Sequence, residues 1–345
     1  MIIIMEPSAT KEQINIVTQA LHNKGFKTVL NHGDVMTVIA AIGDKRLIEP
    51  HSFQSYEGVR SVKLIQEPYK LASREGKQED TVIEFSNGVR IGGLEKPVLM
   101  VGPCSVEKDL DGLLRVAEAA SEMGCHFLRG GAFKPRTSPY DFQGLEEKGL
   151  QYLAQAREKT GLLVVTEVMD TMDISLLCQY ADVLQVGARN MQNFKLLKAL
   201  GRIKKPVMIK RGPAATIKEF LLAAEYVLSN GNPNVILCER GVKSFDSEFS
   251  RNVLDIAAVP IIRKYTHLPV IVDPSHGTGK RYLIEPMGKA ALVAGAHGLM
   301  FEVHHDPDNA MCDGAQSLNI EQFKETTKSL NKLIGRIDYD NKNSK

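Results

Sequence analysis

Two groups of side chains in this sequence are of types that do chemistry together. Cys104, His276, Glu302 and Asp313 offer one thiolate, one imidazole and two carboxylates, each at or shortly beyond the end of a short apolar run. That is a donor set for a divalent transition metal: its oxygens suit Mn²⁺ or Fe²⁺, and its thiolate admits Zn²⁺ or Co²⁺. Arg129, Lys134, Arg136, Arg189, Lys210 and Arg240 form the second group, with Glu167 and Glu239 as the only carboxylates beside them. Arginine binds phosphate and carboxylate bidentately, so this group implies more than one anion on a substrate. Each residue alone has a plainer reading. A lone cysteine is more often a small buried hydrophobe, and His276 could simply be oriented by Asp273. On that footing Cys125, Cys178 and Cys238 read as packing residues, Cys312 as an incidental neighbour of Asp313, and Arg211, Lys280 and Arg281 as a solvated rim. His297, His304 and His305 read as second-layer or structural.

The elements that must position these groups are short apolar runs alternating with amphipathic stretches from Pro97 onward. The runs are Val98 to Val101, His126 to Leu128, Leu162 to Thr166, Val183 to Val186, Val207 to Ile209, Val235 to Leu237, Val270 to Val272 and Gly298 to Phe301. Between them lie helical patterns, one opened by a Thr216 to Glu219 capping box. Eight strand and helix repeats in this length predict a closed (β/α)₈ TIM barrel, a fold of typically about 250 residues. No GxGxxG follows the first strand, which weighs against an open dinucleotide-binding sheet. In a barrel the chemistry sits at the C-terminal strand ends, and closure brings the seventh, eighth and first strands side by side. His276, Glu302 and Cys104 then share one arc, with Asp313 in the loop after the eighth strand.

Ahead of the barrel, residues 1–66 show the order βαββαβ of a ferredoxin-like domain, its first helix opened by a Thr10 to Gln13 capping box and stopped at Gly25. Residues 67–97 read as a polar linker followed by a hairpin, because Asn87-Gly88 between two apolar runs is a strong turn signal. The barrel is expected over 98–338.

Composition narrows the rest. The chain has 345 residues, 43% hydrophobic and 24% charged, with a net charge of +2, which excludes disordered and supercharged classes. No basic block and no Trp argue for nucleic acid binding. No apolar run of membrane-spanning length and no leader pattern predict a cytoplasmic protein without a membrane partner. Five cysteines with no CxxC pair argue against a disulfide framework.

Longer motifs carry a resemblance. Gly102-Pro103-Cys104-Ser105, the run from Leu128-Arg129-Gly130-Gly131 through Lys134-Pro135-Arg136-Thr137-Ser138-Pro139-Tyr140, Gly187-Ala188-Arg189-Asn190 and Val272-Asp273-Pro274-Ser275-His276 resemble 3-deoxy-D-arabino-heptulosonate 7-phosphate (DAHP) synthases. The front domain is similar to that of one subgroup of these enzymes. The resemblance implies condensation of phosphoenolpyruvate with erythrose 4-phosphate, the opening step of the shikimate pathway to aromatic amino acids. It implies that Cys104, His276, Glu302 and Asp313 hold the metal. Arg189, Lys210 and Arg240 would take the phosphate of phosphoenolpyruvate, with Arg129, Lys134 and Lys210 near its carboxylate. Arg136 and Thr137 would grip the sugar phosphate, Glu167 would lie near the attacking water, and Lys134 would donate to the developing alkoxide. It also implies a homotetramer, with feedback by an aromatic amino acid bound at the front domain. The alternatives are a synthase taking arabinose 5-phosphate, whose loop has Lys-Ala-Asn-Arg-Ser where this chain has Lys134-Pro135-Arg136-Thr137-Ser138, a Schiff-base aldolase using Lys210, and a ligand sensor on a dead barrel.

Overall fold

Buried Ile2, Ile3 and Met5 put β1 (Ile2–Met5) at the centre of a four-stranded antiparallel sheet with β2 (Lys27–His32), β3 (Thr37–Ile42) and β4 (Val59–Lys63). The order is β2-β3-β1-β4, the ferredoxin-like arrangement. The helix Lys11–Asn23 begins on the expected capping box, in which Thr10 Oγ1 accepts from the Gln13 amide and the Gln13 side chain accepts from the Thr10 amide. Its Ile14, Val17 and Leu21 face the sheet and join Ile3, Met5, Ile39 and Phe53 in one core. The computed structural model describes residues 1–32, 36–43, 51–63, 68–134, 138 and 140–337.

The chain forms two compact units: Met1–Asp80 together with Lys264–His267, and Thr81–Arg263 together with the chain from Leu268 onward. The first unit therefore extends past residue 66. The polar composition of 67–80 conceals a few anchors: Tyr69, Ala72 and Ser73 are buried, Ser73 bridges Thr266, and Arg74 meets Asp80 at 2.6 Å.

The second unit opens with the hairpin β5 (Ile83–Glu84) and β6 (Arg90–Ile91) around Asn87-Gly88, where Gly88 takes φ +82°. Eight parallel strands follow: β7 (Val98–Gly102), β8 (Phe127–Arg129), β9 (Leu163–Val168), β10 (Val183–Val186), β11 (Val207–Lys210), β12 (Val235–Glu239), β13 (Val270–Val272) and β14 (Gly298–Glu302). They close into a barrel, with β14 paired to β7 from Gly298 opposite Val98 to Glu302 opposite Gly102. Val98, Phe127, Leu163 and Val183, which start or nearly start their strands, share a core with Ile83, Phe85 and Ile91 of the hairpin. The hairpin thus fills the N-terminal end of the barrel, and Phe85 meets Phe127 edge to face at 5.0 Å. Chemistry is left to the opposite end. No helix among the described residues is long and apolar enough to cross a membrane.

Candidate active site and metal centre

Several strands run further than their apolar runs, so functional side chains lie inside the strand ends rather than after them. Arg129 closes β8, Glu167 lies in β9, Lys210 closes β11, Glu239 closes β12 and Glu302 closes β14. A strand-borne side chain is held by the barrel ladder itself, which fixes its direction.

The four ligand atoms of Cys104, His276, Glu302 and Asp313 all lie within 4.8 Å of one another. Each gets there by a local device. Gly102 ends β7 at φ +146°, where an added Cβ would strike the Arg129 carbonyl, so the turn that delivers Cys104 needs glycine. Asp273 caps the short helix Pro274–Thr278 through Oδ1 on the His276 amide at 2.9 Å, with Pro274 in its first turn. The other Asp273 oxygen accepts from His276 Nδ1 at 2.8 Å, which leaves Nε2 for an ion. Asp273 therefore does orient His276, and the same oxygen takes Lys210 Nζ at 2.6 Å. Glu302 is buried, its amide donating to Ser275 Oγ at 2.9 Å and its Oε1 accepting from Arg129 Nη1 at 2.7 Å. Asp313 reaches its place with a left-handed backbone, φ 52°, in a residue other than glycine.

Charge in this cluster is tightly organised. Burial opposes ionisation of Asp273, yet His276 and Lys210 hold its carboxyl well below the usual range. Burial also opposes ionisation of Glu302, and His276 with Arg129 outweighs it. Burial lowers His276 below the ordinary imidazole value, which favours the neutral ring a metal requires. The Cys104 thiol is pushed up, first by its contact with Cys312 and then by burial. A cation among these groups would reverse that preference, since a coordinating thiol is deprotonated outright. Donor types and spacing together fit one divalent ion.

Arg129, Lys134, Arg189, Lys210 and Arg240 line a cavity of about 590 Å³ together with Glu167 and with His276 and Asp313 of the cluster. Lys134 Nζ lies 3.3 Å from Cys104 Sγ, so the cation wall and the four-donor cluster adjoin. Gln185 donates to Glu167 at 3.4 Å. Arg136 and Thr137 lie outside the described residues.

The structure corrects several plainer readings. Cys312 is no bystander: its Sγ is 3.2 Å from Cys104 Sγ, and it lines the cavity. Arg211 is buried rather than on a solvated rim, bound to Glu239 at 2.8 Å and Asp255 at 2.9 Å. These two carboxylates make its burial affordable. In keeping with their reading as second-layer or structural, His304 lies 3.5 Å from Glu107 and His305 2.9 Å from Asp109, and neither belongs to the four-residue cluster. Sequence reasoning missed Arg251 and Gln316. Nothing in their local patterns distinguishes them, because their partners Asp313 and Glu302 are brought to them only by the folded chain.

Comparison with known proteins agrees with this geometry. The DAHP synthetase I family matches residues 80–337, and the DAHP synthase ferredoxin-like domain matches residues 1–67. Phospho-2-dehydro-3-deoxyheptonate aldolase of Thermotoga maritima is 48% identical over 98% of each chain. A 2-dehydro-3-deoxyphosphooctonate aldolase of Syntrophotalea carbinolica is 33% identical, over 70% of this chain and 92% of its own. The crystal structure of the Thermotoga maritima DAHP synthase matches at 47% identity with a TM-score of 0.76, covering 97% of both chains.

Proposed function

The chain belongs to the DAHP synthetase I family and has the activity of a DAHP synthase, and on that premise we propose how its own residues carry out the condensation. The substrates are phosphoenolpyruvate and erythrose 4-phosphate, joined with water to give DAHP and inorganic phosphate. The observation that carries this reading is that one cavity is lined both by His276 and Asp313 of the four-donor cluster and by a wall of cations that includes Arg129, Lys134, Arg189, Lys210 and Arg240.

Arg189, Lys210 and Arg240 bind the phosphate of phosphoenolpyruvate, and Arg129 and Lys134 bind its carboxylate. Two anions gripped at fixed points orient the enol carbon towards the acceptor aldehyde. A divalent ion held by Cys104, His276, Glu302 and Asp313 would supply Lewis-acid polarisation of that aldehyde. As the carbon-carbon bond forms, Lys134, already beside Cys104, donates a hydrogen bond to the growing alkoxide. Positive charge develops at C2 of the former enol, and Glu167 positions the water that adds there. Phosphate then leaves with cleavage of its bond to carbon, its charge met by Arg189 and Arg240. Arg136 and Thr137 are the residues proposed to grip the sugar phosphate.

The acceptor is erythrose 4-phosphate rather than arabinose 5-phosphate because the likeness to the heptonate enzyme spans nearly the whole chain, while that to the octonate enzyme covers 70% of it. Assaying both sugars with phosphoenolpyruvate tests this: phosphate release is expected with the four-carbon sugar, and turnover of the five-carbon sugar alone would overturn it. Borohydride trapping in the same assay tests Lys210 as a nucleophile, and no adduct is expected. For the first unit we propose a regulatory role, feedback by an aromatic amino acid in a cytosolic homotetramer. The match of residues 1–67 to a DAHP synthase ferredoxin-like domain supports it. Removing residues 1–80 should abolish any inhibition by Tyr or Phe, and inhibition that survives the deletion would end the idea.

A further inference from the structure

Each carboxylate in the metal cluster has two oxygens, and the structure treats them differently. Glu302 Oε1 faces the cluster, 3.4 Å from His276 Nε2. Glu302 Oε2 instead accepts from Gln316 Nε2 at 2.6 Å. Asp313 Oδ2 faces the cluster, 3.1 Å from Cys104 Sγ, while Asp313 Oδ1 lies 3.5 Å from Arg251 Nη1. Gln316 and Arg251 are joined to each other, Arg251 Nη1 donating to Gln316 Oε1 at 2.9 Å. The amide orientation follows from chemistry, because a carboxylate needs the NH₂ end and a guanidinium the oxygen end.

Gln316 is buried, and no other side chain is placed to hold Glu302 Oε2 among the described contacts. Arg251 sits on the segment after β12, which is tied down by the Val242 to Val253 bridge and also lines the cavity. One arginine and one glutamine therefore engage the outward oxygen of both acidic ligands.

We propose that the Arg251–Gln316 pair is a positioning device that keeps Glu302 and Asp313 monodentate, reserving coordination sites on the ion for substrate. The inference rests on the four-ligand reading of the cluster and extends it to two residues outside the donor set, of which Arg251 also lines the cavity. A carboxylate with a free second oxygen chelates readily at hard and borderline cations, and each chelation fills a site that an aldehyde oxygen needs. Gln316 prevents this at Glu302 with a short hydrogen bond, and Arg251 does so at Asp313 while fixing Gln316. Both effects act through the ligands, so the device governs coordination number first and affinity second.

The test is Co²⁺ titration of the metal-stripped full-length protein, read by optical absorption, for wild type, Gln316→Leu, Arg251→Ala and Arg251→Lys. Wild type should show a thiolate-to-cobalt charge-transfer band and moderately intense d–d bands. Gln316→Leu and Arg251→Ala should keep the charge-transfer band but lose d–d intensity, as coordination number rises, with Co²⁺ affinity changed by about 10-fold or more. In steady state they should lower kcat with little change in KM for phosphoenolpyruvate. Arg251→Lys should restore part of the wild-type spectrum. If Gln316→Leu fails to fold, Arg251→Ala, whose side chain is 42% exposed, carries the test alone. Variants with wild-type d–d intensity and affinity would overturn the positioning role. Absence of the charge-transfer band in wild type would instead overturn the four-ligand reading itself.

Discussion

At the scale of single residues, the site is held by buried ion pairs whose members are far apart in sequence. Arg129 and Glu302 are nearly inaccessible, at 4% and 1% exposure, and meet at 2.7 Å. Removing one partner of such a pair leaves a bare buried charge, which costs roughly 3–5 kcal/mol. Arg129→Ala should therefore lower the unfolding midpoint as well as raise KM for phosphoenolpyruvate, and calorimetry with steady-state kinetics checks both. A variant that lost activity at unchanged stability would show the pair to be weaker than its geometry implies. The clustering of Cys104, His276 and Glu302 was legible in the sequence because each stood at or just beyond a predicted strand end on one arc, and that of Asp313 because it lay in the loop after the eighth strand. Asp273 was legible only as an orienting neighbour of His276, and its grip on Lys210 was not. Arg251 and Gln316 were invisible because an arginine and a glutamine in polar loops carry no local signal of the carboxylates they hold.

At the scale of elements, caps and turns decide where side chains are delivered. Both capping boxes read from the sequence, at Thr10 and Thr216, are formed. Thr216→Ala should cost about 1 kcal/mol and leave turnover unchanged, since its helix, Ile217–Leu228, carries none of the proposed ligands. Chemical denaturation measures the first part and the standard assay the second. Gly102→Ala should behave differently. Its left-handed backbone and the nearby Arg129 carbonyl leave no room for a methyl group, so stability should fall by about 2 kcal/mol or more and KM for phosphoenolpyruvate should rise with it. An alanine variant with normal KM would mean the turn has slack. Strand cores were read almost to the residue because continuous apolar runs mark buried parallel strands. Their polar last residues, such as Arg129, Lys210 and Glu302, lay just outside the runs because an apolar-run criterion stops at the first charge.

At the scale of the whole molecule, ring closure turns a linear sequence of eight repeats into one site, since only the β14 to β7 pairing brings Glu302 beside Cys104. Counting repeats made closure legible. That the stretch up to Asp80 and Lys264–His267 cluster with the ferredoxin-like domain was not, because buried Tyr69 and Ala72 sit within a polar stretch and Thr266 and His267 join that unit from far along the chain. His267 also gives the fold a pH dependence. Burial lowers it from the usual 6.5 to about 4, and it hydrogen-bonds the Leu71 carbonyl at 2.7 Å. Between these values the unfolded chain binds the proton and the folded one does not, so stability is full above about 6.5 and falls as pH drops towards about 4. The loss is on the order of 3 kcal/mol. His267→Gln should flatten that acid limb in a thermal unfolding series from neutral to acid pH, and an unchanged slope would assign it elsewhere.

The most direct test of the account is to strip the full-length protein with a chelator and follow loss of phosphoenolpyruvate in the presence of erythrose 4-phosphate. Single divalent ions are then added back to wild type and to Cys104→Ala. The account predicts that turnover stops on stripping, returns with at least one of Mn²⁺, Fe²⁺, Co²⁺ or Zn²⁺ in wild type, and does not return in the variant. Undiminished turnover by the stripped wild-type protein would contradict it.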